Sequence, residues 1–160
     1  MMITKIEPNG MNGTLFMLVI KSMRTFICFH LSLCILLFIL LRLYWDVELA
    51  NILFVLYSQI ILSTVIHEFG HLVPYLLFTR GKKIFFMKSH LLGLSVLTLK
   101  TTRLQNLMIA VSGPGICVVI GMFVIQYHFL AGIIYMSHVI FFFPSFSDGE
   151  NILLQIMRSE

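Results

Sequence analysis

Residues 66–72 read I-H-E-F-G-H-L, which sets two imidazoles four positions apart with a carboxyl beside the first. On a helix, His67 and His71 lie one turn apart on the same face and can bind one metal ion through ring nitrogens. Glu68 sits about 100° further round, within reach of a water activated by that metal but outside the ligand positions. This is the H-E-x-x-H pattern, in which the histidines hold zinc and the glutamate acts as general base.

A catalytic zinc takes three protein ligands and keeps a fourth position open. His30, His90, His128 and His138 are possible third ligands. Asp148 is the stronger candidate, because it follows a chain break at Pro144 and precedes Gly149, a residue free to turn. The same aspartate also reads as the N-cap of a helix over 150–157. Residue types alone leave both readings open.

The surroundings sharpen the chemistry. Of the 160 residues, 59% are hydrophobic and 11% are charged, with a mean hydropathy of +0.97. A soluble domain has about 25% charged residues, so the composition predicts an α-helical integral membrane protein. An ionisable side chain at bilayer depth costs about 2.5–3.5 kcal/mol on insertion scales. Zinc coordination, on the order of 10–16 kcal/mol in structural zinc peptides, offsets that cost. The alternative is that His67 and His71 hydrogen-bond across a helix interface with Glu68 protonated.

Four apolar segments are predicted as spans, at about 26–44, 50–78, 104–129 and 131–143. Pro144 ends the fourth, which is expected to unwind there and resume at 150–157. Pro74 removes a donor from the second span and leaves the Gly70 carbonyl without its helical partner. Cys28, Cys34 and Cys117 lie in apolar segments and read as small hydrophobes, with no disulfide expected. The chain before residue 26 lacks a signal-peptide pattern, so the first span is expected to be retained.

The polar interval between the second and third spans holds Arg80, Lys82, Lys83, Lys88, Lys100 and Arg103. It contains two runs, K-I-F-F-M-K and L-S-V-L-T-L-K, next to Gly81 and Gly93. A short β-hairpin at the membrane surface is expected, with an irregular basic loop as the alternative. The net charge of +4 is spread over short clusters rather than one helix face, which argues against nucleic acid as partner. Under the positive-inside rule these clusters put both termini in the cytoplasm, with residues 1–25 as a cytoplasmic segment and 26–160 as one membrane-embedded domain.

Beyond H-E-x-x-H, the chain carries A-V-S-G-P-G at 110–115 and P-S-F-S-D-G at 144–149. In order and spacing, the three motifs resemble those of the site-2 proteases, zinc metalloproteases that cut within or beside the membrane, and the likeness covers about residues 60–154. The resemblance implies zinc on His67, His71 and Asp148, with Glu68 as catalytic base. It further implies a membrane-held peptide or protein substrate and a compact, bacterial-type member. The chain departs from the family where an asparagine usually stands eight residues before the aspartate, a position held here by Ile140. Pro144 has no second proline near it, and Glu150 stands where a glycine is common. Two other functions are compatible with the composition: an inactive, protease-like binding partner, and a transporter of metal or peptide. Transport is disfavoured because the third span offers no second polar layer.

Overall fold

The computed structural model describes residues 2–6, 13–80, 83–90, 93–99 and 101–157. Gly81, Lys82, Lys100 and Arg158 lie outside the described residues, as does the side chain of His90.

Two long helices open the fold. Helix α1 covers Gly13–Tyr44 and α2 covers Val47–Thr79. Only Trp45 and Asp46 separate them, and the Asp46 carboxylate starts α2 by accepting a 2.9 Å hydrogen bond from the Leu49 N–H. Helix α2 ends at Arg80, whose left-handed φ of 51° lets its N–H reach the carbonyls of Leu76 and Leu77.

A three-stranded antiparallel sheet follows, with β1 at Met2–Ile6, β2 at Phe85–His90 and β3 at Gly93–Thr98, in the order β1-β2-β3. The expected hairpin is present as β2 and β3, and the N-terminal segment adds a third strand that pairing in register with β2 creates. Period-two alternation turns Ile6, Phe85 and Met87 inward. They pack on Val19, Met23, Leu72 and Tyr75 in the main apolar cluster, so the sheet closes one end of the helix pair. The Tyr75 hydroxyl fixes that end by donating to the Ile84 carbonyl at 2.7 Å.

Helix α3 covers Arg103–Val124 and begins with a capping box between Thr102 and Gln105. The last segment is broken: α4 spans Phe129–Met136, a 3₁₀ turn spans Ser137–Phe142, and α5 spans Ser147–Met157. The interruption falls at Pro144 as expected, although helix resumes at Ser147 rather than at 150. Four helical stretches are long and apolar enough to cross a membrane: Val19–Tyr44, Val47–Thr79, Arg103–Val124 and Phe129–Met157.

Helices α2 and α3 approach closely at two glycines. A Cβ on Gly70 would lie 2.7 Å from the Gly113 Cα, so neither position has room for a side chain. That approach brings α3 against the histidine face of α2.

Candidate metal centre

His67, Glu68 and His71 are all buried in the C-terminal half of α2. The two imidazoles stand edge to face, with ring centroids 4.8 Å apart and Nε2 atoms 3.2 Å apart. The break after the 3₁₀ turn swings the start of α5 back toward them. Asp148 Oδ2 lies 3.0 Å from His67 Nε2 and 3.4 Å from His71 Nε2.

Asp148 is thus not the cap of α5. It lies inside the first turn, while the Glu150 N–H bonds to the Phe146 carbonyl at 2.8 Å. Its carboxylate also faces the positive end of the α5 dipole. Gly149, expected as a residue free to turn, lies within the first turn of α5. It supplies room, since a Cβ there would lie 1.9 Å from the Phe143 carbonyl oxygen.

A second contact orients His71. His71 Nδ1 lies 2.7 Å from the Ile109 carbonyl, which can only accept, so Nδ1 carries the proton and Nε2 presents a lone pair to the centre. The His71 ring rests on Gly113, where a Cβ would come within 2.3 Å of its Cε1 and Nε2. Ser112 Oγ shares its proton between the Gly70 carbonyl at 2.7 Å and the Ile109 carbonyl at 2.8 Å. The carbonyl that Pro74 leaves without a donor therefore regains one from α3.

The donor set fits zinc. Bonds of about 2.0–2.1 Å in a tetrahedral array put ligand atoms about 3.3–3.4 Å apart, and the three edges here are 3.0, 3.2 and 3.4 Å. Two imidazole nitrogens pointing at one carboxylate oxygen form a divalent-cation site of mixed N and O character. His67, His71 and Asp148 form one of two groups among the described residues that could hold a metal ion; the other, fully buried, is His67, Cys117 and His138.

Of the other candidate histidines, His30 and His128 lie away from the centre and His138 lies beside it. His30 bonds to the Tyr57 hydroxyl at 2.7 Å between α1 and α2, and His128 is exposed before α4. His138 stacks near His67 with centroids 5.2 Å apart. Ile140, which replaces the family's asparagine, is half exposed on the 3₁₀ turn and does not line the cleft beside the site.

Sequence reasoning missed two participants. The Val96 N–H of β3 donates to Glu68 Oε2 at 2.7 Å, and Cys117 lies beside His67. Neither residue type signals such a place by itself. Beside the centre, a cleft of about 400 Å³ is lined by His71, Val96, Thr98, Ile109, Asp148, Asn151 and Gln155, among others. It runs between β3, α3 and α5. Comparison with protein-family models, curated proteins and solved structures found no match.

Proposed function

We propose that this chain is an intramembrane zinc metalloendopeptidase of the site-2 protease type, hydrolysing a peptide bond in a membrane-held segment. The reading rests above all on one observation: His67, His71 and Asp148, distant in sequence, bring three ligand atoms within 3.4 Å of one another, with Glu68 adjacent on the same helix.

A lipid setting is supported by the outer faces of the helices, where Leu36, Ile39, Ile52, Val119 and Met122 are among many exposed apolar side chains. Contiguous apolar surface of that extent is rare on soluble monomers and is natural against acyl chains. Pairing of β1 with the β2–β3 hairpin supports the proposed cytoplasmic N-terminus. It places the first residues on the same side as the basic interval, which the positive-inside rule assigns to the cytoplasm.

His67, His71 and Asp148 would hold a zinc ion, which when bound would supply Lewis-acid polarisation of a peptide carbonyl and acidify water. The chain's own residues do the rest. Glu68 takes the proton of the attacking water and returns it to the leaving amine. The cleft seats the extended substrate, and β3 borders it as the free edge of the sheet. Because Val96 directs its N–H away from β2, alternation turns the amides of Leu94 and Thr98 to the same side. An unwound substrate strand can add there by β-augmentation. Asn151 and Gln155 on α5 offer amides to the opposite side of that strand.

Glu68→Gln is the decisive variant. The amide keeps the shape and an acceptor for Val96 but cannot take a proton. Zinc content should stay at the wild-type level while cleavage of a co-expressed membrane peptide falls by about 10²–10⁴. Normal processing by this variant would remove the hydrolytic reading and leave a protease-like binding protein.

A further inference from the structure

Peptide hydrolysis at His67, His71 and Asp148 leaves a buried cluster beside it unused. Cys117 from α3, His138 from the 3₁₀ turn and His67 from α2 are all buried, and one potential ligand atom from each lies within 4.8 Å of the others. Among the described residues the Cys117 thiol donates to the Ser63 carbonyl at 3.4 Å, a weak hydrogen bond that a metal could replace. His138 Nδ1 lies 3.3 Å from the Ile134 carbonyl, so in the neutral ring Nε2 is left to accept. His67 Nδ1 is buried with no hydrogen-bond partner among the described residues. A buried ring nitrogen without a partner, next to a thiol and a second imidazole, is a group with an unfilled role.

We propose that His67, Cys117 and His138 form a second metal position that takes a soft or borderline divalent cation, Zn²⁺ or Cd²⁺, as an alternative to the His67–His71–Asp148 position. The donor chemistry suits such an ion, since a thiolate and two imidazoles favour zinc and softer metals over magnesium or calcium. The thiol releases its proton on binding. Both positions need His67, and one imidazole can serve two ions only as the imidazolate, after losing the single N–H proton of the neutral ring. Two dications would then stand on opposite nitrogens of one ring and repel each other in a low-dielectric interior. Occupancy is therefore exclusive: an ion beside Cys117 takes Nδ1 of His67, keeps the ring proton on Nε2 facing Asp148 Oδ2, and so removes a ligand from the first position and leaves Glu68 without a metal to work beside. That resting-state consequence rests on the hydrolytic reading, whereas the second metal position does not.

The test uses the full chain in detergent micelles, stripped with a chelator and titrated with Co²⁺ as a spectroscopic probe. In His71→Ala/Asp148→Ala, which removes the first position, cobalt should bind with a sulfur-to-metal charge-transfer band, and adding Cys117→Ser should abolish that band. Wild-type chain should saturate at a single equivalent. A folded double variant with no sulfur band, or a wild-type chain binding two ions, would overturn the proposal. Should the double variant not fold, ¹¹³Cd NMR of the single variant Asp148→Ala, which also breaks the first position, gives the same answer: a thiolate-shifted resonance lost on adding Cys117→Ser supports the position, and a resonance of purely nitrogen and oxygen ligation refutes it. Glu68→Gln touches neither ligand set, so these readouts stand or fall independently of cleavage.

Discussion

The Glu68 carboxylate accepts a 2.7 Å hydrogen bond from the backbone N–H of Val96, tying the candidate base on α2 to the free edge of the sheet. The strand that borders the cleft is also the one that orients Glu68. Val96→Pro removes this donor without breaking the β2–β3 ladder, because the lost N–H points away from β2. Cleavage should fall by about tenfold or more, within the share a positioned general base contributes, while zinc content is unchanged. Equal activity in the two proteins, measured on a co-expressed membrane peptide, would show that the base needs no such anchor.

The two glycines flanking Pro114 should respond in opposite ways. Gly113→Ala drives a methyl into the His71 ring, whereas a Cβ on Gly115 meets nothing within 4 Å. Zinc affinity should drop by about 10–100-fold in Gly113→Ala, the range typical when a ligand loses its orientation. Gly115→Ala should bind zinc as wild type does. Metal analysis of the purified pair, beside circular dichroism to verify folding, makes the comparison.

Ser112 replaces the donor that Pro74 denies to Gly70. Ser112→Ala leaves that carbonyl unpaired in a tight helix contact and should cost about 1–3 kcal/mol of stability. Pro74→Ala restores the helical N–H. The double variant Ser112→Ala/Pro74→Ala should therefore recover much of the loss, which thermal unfolding in detergent would measure. A loss that Pro74→Ala fails to relieve would place the role of Ser112 at the Ile109 carbonyl instead.

Removing metal should loosen the whole molecule as well as stop cleavage. Zinc on His67, His71 and Asp148 would tie α2 to α5 through ligands, His71 and Asp148, that stand 77 positions apart in the chain. At free zinc a hundredfold above Kd, binding adds roughly 2.7 kcal/mol of stability. Chelation should lower the unfolding temperature and added zinc should restore it. His67→Ala should show neither response, and a chelator effect that persists in it would locate the stabilising ion elsewhere.

By itself, the sequence determined whatever depends on neighbours along the chain. Four apolar stretches, the break at Pro144 and the two strand runs after Arg80 follow from hydropathy, proline chemistry and alternation, all properties of short windows. The same holds for the placement of His67, Glu68 and His71, because helical periodicity alone puts ligands four residues apart on one face. Only tertiary structure decided what depends on elements distant in sequence meeting. Strand β1 becomes a strand by pairing with β2, some eighty residues away, and five residues carry too little local pattern to announce it. Residue types left Asp148 open as cap or ligand, and only the turn at residues 143–146 carried its carboxylate to within 3.4 Å of His67 and His71. Cys117 and Val96 gained their places beside His67 and Glu68 through the Gly70–Gly113 approach and the sheet's docking, contacts between surfaces that no one-dimensional period encodes.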